Sequence, residues 1–97
     1  MKIEINNSQV EIKDSLKKHI NESIKSNIKK YFENAESAHV YFKKEGNLIL
    51  VNLTVNDGIA GNSDINVKSN ATSHDASSSF NEALEKATKQ VRRYKRR

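Results

Sequence analysis

The basic residues near the carboxyl end of the chain have the type and spacing needed to bind polyanions. Residues 74–97 hold seven Lys or Arg against three Asp or Glu, and the run from Lys89 to Arg97 has six basic residues and no acidic one. Residues 1–73 are nearly balanced, with ten basic and nine acidic residues, so most of the net charge of +5 lies at one end. Clustered cations attract phosphates by coulombic steering and counterion release. The sequence therefore indicates nucleic acid or an anionic membrane face as partner, with a solvated basic tail as the alternative.

The sequence has no residues at the spacing of a metal site or a catalytic site. The chain has no Cys, which excludes disulfides, thiolate metal sites and a Cys nucleophile. His19, His39 and His74 lie far apart and lack metal-site spacing, so we expect no metal. Gly58-Ile59-Ala60-Gly61 matches the GxxG loop of KH domains but falls between two predicted strands, which favours a hairpin loop. No local pattern suggests a nucleophile with its base, a cofactor or a small-molecule substrate, so we expect a protein without enzymatic activity.

The length and hydropathy of the chain limit its organisation. With 97 residues it can bury one small core, which predicts a single domain over residues 1–97. The longest apolar run, Leu48-Ile49-Leu50-Val51, is far shorter than the roughly 20 residues of a membrane-spanning helix. Polar and apolar residues alternate from Lys2 to Asn6, unlike a secretory signal. We expect a cytoplasmic protein that is monomeric when free.

Alternation of polar and apolar residues predicts four strands. They cover residues 2–6, 38–43 and 49–56, with a weaker fourth strand that begins at Ile65. Glu45-Gly46-Asn47 and Asp57-Gly58 contain residues that tolerate positive φ, and they predict turns on either side of the third strand.

Apolar residues three and four positions apart predict two amphipathic helices. The first covers residues 15–33, with Asp14 or Ser15 as its cap. The second runs from about Asp75 to the end of the chain, and Asp and Ser side chains at its start satisfy free backbone N–H groups. Because each strand has one apolar and one polar face, both helices should cover the same side of the sheet. The predicted fold is α+β, in the order β-α-β-β-β-α, with a four-stranded sheet and two helices packed on one face.

A helical wheel at about 100° per residue places cations on the outward faces of both helices. The outward face of the second helix carries Lys86, Lys89, Arg93 and Arg96, and Arg92 lies in the same basic run. The outward face of the first helix carries Lys18, Lys25 and Lys29. Two such rows side by side would form a groove or saddle for phosphates, so these cations are the candidate RNA contacts.

Three stretches of the chain resemble a known family. Val10–Leu16 leads into the first helix, which closes on Lys30-Tyr31-Phe32, and Ala38-His39-Val40 opens the second strand. The last helix matches without a gap from Asp75 to Arg97. In this order and spacing, over essentially all 97 residues, the chain resembles the ribosome hibernation promoting factors, the family that includes the ribosome-associated inhibitor.

The resemblance implies binding to the small ribosomal subunit between its head and body, against 16S-type rRNA and neighbouring ribosomal proteins. There the protein would block messenger RNA and tRNA and inhibit translation in a stress or stationary-phase response. Short members of the family are associated with pairing of idle ribosomes into dimers. Lys86, Lys89, Arg93 and Lys95 match positions where the family is basic, which implies that they contact rRNA. Ser77 stands where the family usually has Tyr, so no aromatic contact is carried over there.

Two other functions fit the sequence. Two helices on an antiparallel sheet also describe a general binder of double-stranded RNA. A module whose basic helix docks on an acidic protein or on a membrane surface is the other. An RNA-recognition motif would need several aromatic residues on the open sheet face, and Tyr41 is the one available there.

Overall fold

The computed structural model describes residues 2–28, 30, 35–57 and 65–95. Its elements are β1 (Lys2–Ser8), α1 (Asp14–Asn27), β2 (Ala35–Glu45), β3 (Leu48–Asp57), β4 (Ile65–Ser73) and α2 (Ala76–Lys95). The predicted order β-α-β-β-β-α and the α+β class are confirmed. The strands extend beyond the alternating residues because backbone pairing continues past the apolar positions that reveal it.

The four strands form one sheet in the order β1-β2-β3-β4. β1 runs parallel to β2, whereas the other neighbouring pairs are antiparallel. A parallel pair needs a crossover connection, and α1 supplies it. β2 and β3 form a hairpin whose loop residues are Gly46 and Asn47, as predicted. Gly46 has φ of 60°, in the left-handed region that glycine adopts at the first position of a type II′ turn.

The core lies between the helices and one face of the sheet. The sheet contributes buried residues from every second position: Ala38, Val40, Phe42, Val51, Leu53, Val55, Val67 and Ala71. Ile20, Ile24 and Ile28 cover this face from α1, and Phe80, Ala87 and Val91 cover it from α2. Both helices therefore pack on the same side of the sheet, as predicted.

The opposite face of the sheet is polar. One row across it consists of Glu4, His39, Thr54 and Lys68, and the next consists of Asn6, Tyr41, Asn52 and Asn70. Asn6 Nδ2 lies 2.8 Å from His39 Nε2, so neighbouring strands share hydrogen bonds on this face. Tyr41 is half-buried there, and the other ring in these two rows is the imidazole of His39, so the face lacks the several Phe or Tyr rings of an RNA-recognition motif.

The first helix differs from its prediction at both ends. Its N-cap is Lys13, which makes no capping side-chain hydrogen bond, so the predicted cap at Asp14 or Ser15 is wrong. The helix ends at Asn27, short of the predicted residue 33. Ser26 and Asn27 are weak helix formers because their side chains compete for backbone groups. The predicted helical residues 29 and 31–33 lie outside the described residues, as does the Gly58–Gly61 loop.

The second helix begins with the predicted cap. Asp75 Oδ1 accepts a 2.7 Å hydrogen bond from the backbone N–H of Ser78, and Asp75 Oδ2 lies 3.1 Å from the Ser78 hydroxyl. The buried hydroxyl of Ser79 then donates to the carbonyl of Ile49 at 2.7 Å. These bonds fix where α2 starts and join its first turn to β3.

Replacing the cap tests this assignment. Asp75→Ala should lower the free energy of unfolding by about 1 kcal/mol, because an N-terminal backbone N–H loses its acceptor. Asp75→Asn keeps an acceptor oxygen and should recover most of that loss. Urea denaturation followed by circular dichroism measures both variants. Equal stability of Asp75→Ala and the unmodified protein would show that this cap does not hold α2.

Candidate nucleic-acid interface

The two helices lie side by side and run in the same direction. His19 of α1 reaches Asn81 near the start of α2, and Asn27 at the end of α1 lines a groove with Thr88 and Arg92 of α2. The topology requires this direction, because α1 and α2 each return along the sheet after the parallel strands β1 and β4. The basic second half of α2 therefore lies beside the carboxyl end of α1.

His19 links the two helices by polar and aromatic contacts. Its Nε2 lies 2.9 Å from Asn81 Oδ1, and its Nδ1 lies 3.4 Å from the Ser23 hydroxyl. Its ring meets the ring of Phe80 edge-on, with centroids 5.8 Å apart. Since an amide oxygen only accepts, Nε2 donates to it and Nδ1 accepts from Ser23 in neutral His19. Sequence reasoning weighed His19 only as a metal ligand, rejected that role and missed this one, which the neighbouring helix reveals.

The Lys86 ammonium turns toward the edge of the sheet. Its Nζ donates to the carbonyl of Asn70 at 3.0 Å, and Gln90 Nε2 donates to the carbonyl of Lys68 at 2.8 Å. β4 is an edge strand, and these carbonyls lie two residues apart along it. An open edge invites pairing with another strand. Lys86 therefore has a structural partner, and its contact with RNA stays a prediction.

Lys89 lies on the outward face of α2, as the wheel predicts. Its Nζ is 3.5 Å from Glu85 Oε1 one turn earlier, with 60% of the Lys89 side chain and 70% of the Glu85 side chain exposed. An exposed pair at this spacing contributes only about 0.3–0.5 kcal/mol. Lys89 can therefore exchange Glu85 for a phosphate at little cost.

A groove of about 380 Å³ separates the two helices. It is lined by Asn27, Asn81, Leu84, Glu85, Thr88, Lys89 and Arg92. Leu84 is nearly buried and forms an apolar floor, whereas both walls are polar. Among the side chains that the structure describes, Lys89 and Arg92 are the predicted RNA contacts that line this groove. The amides and Thr88 were missed, because uncharged side chains give no signal in a charge count.

The lysines of α1 do not join this groove. Lys18 and Lys25 are exposed, and each lies at least about 100° around the helix from the groove-side residues His19 and Asn27. Lys18 and Lys25 therefore lie on the outer side of α1, whereas Lys89 and Arg92 line the groove, so these cations do not face each other across it. The cationic surface is broader than a single channel.

The side chains of four predicted RNA contacts lie outside the described part of the structure. Arg93 and Lys95 belong to the last turns of α2, but their side chains lie outside the described part of the structure. Lys29 and Arg96 lie outside the described residues altogether. The roles of these four residues stay predictions.

Within residues 2–28, 30, 35–57 and 65–95, no three His, Asp or Glu side chains are grouped to hold a metal ion. No helix in this part of the chain has the length and hydropathy to span a membrane.

The fold matches that of solved structures. A ribosomal subunit interface protein from Coxiella burnetii superposes with a TM-score of 0.81 at 21% identity, covering 100% of both chains. The N-terminal domain of Thermus thermophilus Protein Y superposes with a TM-score of 0.78 at 18% identity, covering 97% of this chain and 99% of that domain. At these identities the likeness establishes the shared fold.

Sequence comparison gives the family. The model of the family described as sigma 54 modulation protein / S30EA ribosomal protein matches residues 3–97, so the chain belongs to that family. A ribosome hibernation promotion factor from Rhizobium meliloti (strain 1021) is 28% identical over 99 aligned positions that cover all of this chain. The chain spans about half of that relative, 49% of its length. The family resemblance inferred from the sequence is thereby confirmed.

The edge contacts of α2 make a separate prediction. Lys86→Ala combined with Gln90→Ala exposes two β4 carbonyls, so the variant should self-associate more than the unmodified protein. Sedimentation equilibrium over a range of protein concentrations measures this. Lys25→Ala with Asn21→Ala removes the same kinds of side chain from α1 and should leave the mass unchanged. Identical masses for both double variants would mean that Lys86 and Gln90 do not protect the edge.

Proposed function

We propose that this chain binds the small ribosomal subunit in its decoding channel, blocks messenger RNA and tRNA, and inhibits translation as a hibernation factor. The family match over residues 3–97 is the observation that carries the proposal. The names of the relatives support it, since one is a ribosome hibernation promotion factor and one a ribosomal subunit interface protein. In this proposal the protein acts by occupancy in the cytoplasm, without catalysis.

The helix pair supplies the physical basis for binding rRNA. Lys89 and Arg92 are exposed beside the groove, and Lys25 is exposed on the outer side of α1. Arg92 forms no ion pair with any side chain that the structure describes, and the Lys89 ion pair is weak. These cations are therefore available to phosphates. Contacts to phosphate supply most of the affinity of such interfaces and fix the orientation of the protein.

Charge reversal tests the cationic surface. Lys89→Glu with Arg93→Glu should abolish sedimentation with purified small subunits, because two attractive charges become repulsive. The circular dichroism spectrum should stay unchanged, since both positions are on the outward face of α2 in the helical projection. Lys43→Glu with Lys68→Glu makes the same change of charge on the sheet and should leave sedimentation largely intact. Co-sedimentation of the α2 variant would remove the basis for the proposal.

Salt dependence gives a second test on the described residues. Binding should weaken as salt rises, and Arg92→Ala should reduce the slope of log affinity against log salt by about one, because one phosphate contact is lost. Fluorescence anisotropy of labelled protein with small subunits gives both slopes. An unchanged slope would place Arg92 outside the phosphate contacts.

Competition distinguishes this proposal from general binding of double-stranded RNA. That alternative rests on an antiparallel sheet, whereas this sheet is mixed because β1 pairs parallel with β2. A protein shaped for the ribosomal channel should remain on small subunits in the presence of excess unrelated RNA hairpins. Release by the hairpins would favour the general binder. Sucrose gradients of whole ribosomes would in addition distinguish silenced single ribosomes from ribosome pairs.

A further inference from the structure

We propose that the groove between α1 and α2 binds one unstacked nucleotide of single-stranded RNA, with its base in the groove and a phosphate at Arg92. The inference rests on the proposed function in that the partner is RNA. It adds contacts to a base to the phosphate contacts of the cationic surface. Single-stranded bases are commonly read by hydrogen bonds to side chains once they leave the stack.

Two asparagines present complementary groups on the two walls of the groove. Asn27 Nδ2 donates to the carbonyl of Ser23 at 2.8 Å, which leaves Asn27 Oδ1 as a free acceptor. Asn81 Oδ1 receives the hydrogen bond of His19 at 2.9 Å, which leaves Asn81 Nδ2 as a donor. The bond to a carbonyl fixes the orientation of the Asn27 amide, since only an N–H can donate to it. One acceptor and one donor therefore remain for the edge of a base, one on each helix.

The groove also suits the body of a base. Leu84 is 8% exposed and gives an apolar floor. Thr88 Oγ1 donates to the carbonyl of Leu84 at 2.8 Å, so its hydroxyl is engaged locally. The volume of about 380 Å³ lies at the lower end of small-molecule sites, which hold roughly 300–1,000 Å³. A single nucleotide therefore matches the groove better than a duplex does.

The charges along the groove distinguish among occupants. Glu85 lies on its wall, so a continuous run of phosphates or an acidic peptide would be repelled there. Arg92 lies two turns further along α2 and forms no ion pair with a described side chain. A nucleotide whose neutral base lies beside Glu85 and whose phosphate lies near Arg92 is compatible with the charges at both positions.

Asn27→Ala and Asn21→Ala form a matched pair of variants. Asn21 Nδ2 donates to the carbonyl of Lys17 at 2.9 Å, the same local bond that Asn27 makes with Ser23. Both substitutions therefore remove one amide and one such bond from α1, but only Asn27 lines the groove. Any difference between them in RNA binding reports on the groove itself.

The probes are a short fluorescent single-stranded RNA and an RNA hairpin with a closed stem. Asn27→Ala should bind the single strand about five-fold more weakly, the effect of one lost hydrogen bond, and the hairpin unchanged. Its salt slope should stay the same, because no phosphate contact is removed. Asn21→Ala should bind both probes like the unmodified protein. In nuclear magnetic resonance spectra, the single strand should shift the side-chain amide signals of Asn27 and Asn81.

Equal binding of the single strand by Asn27→Ala and Asn21→Ala would overturn the groove inference. Unshifted amide signals at saturating RNA would overturn it as well. In both cases the proposed function would still stand if the unmodified protein binds small subunits and charge reversal at Lys89 and Arg93 abolishes that binding. Failure of the unmodified protein to sediment with small subunits would instead contradict the proposed function.

Discussion

The parallel pairing of β1 with β2 is the constraint on which the surface of this protein depends. It forces α1 to cross over the sheet, and since β4 runs in the same direction, α2 returns in parallel with α1. The carboxyl half of α2 then lies beside the end of α1, where Lys25, Lys89 and Arg92 are exposed. Cations near the carboxyl end of a helix interact favourably with its dipole. The fold thus places positive side chains toward the carboxyl ends of the helices, where the helix dipole favours them.

The number of basic residues on α2 exceeds the number that are free to bind. Lys86 is engaged by a carbonyl of β4, and Lys89 is paired with Glu85, whereas Arg92 has no charged partner among the described side chains. Lys86 reaches the sheet edge, whereas Lys89, on the outward face, and Arg92 both line the groove. Neighbouring basic residues of one helix therefore have different roles. Lys86 bonds to the edge of the sheet, whereas Lys89 and Arg92 can bind a polyanion.

The sequence predicted the architecture well because its signals are local. Alternation around Val40 and Val51 and the four- and three-residue spacing around Phe80 depend on one element at a time, and Asp75 acts on its own helix. The missed features depend on contacts between elements. His19 faces Asn81 only because the helices are parallel, and Lys86 finds a carbonyl only because β4 is an edge strand. The predicted end of α1 at residue 33 rests on apolar periodicity that continues beyond Asn27, where the helix ends among the described residues.

Affinity and discrimination have different physical sources in this molecule. Phosphate contacts from Lys89 and Arg92 would act on any RNA, because every nucleotide carries the same charge. A protein with only these contacts would be distributed over all the RNA of a cell. The groove differs, since Glu85 opposes phosphates while Asn27 and Asn81 offer an acceptor and a donor to a base. Under the proposed function, the helix pair holds the phosphate-binding cations and the base-binding groove at fixed positions. It would therefore favour RNA in which a fixed backbone path is combined with an unstacked base. Folded ribosomal RNA provides both.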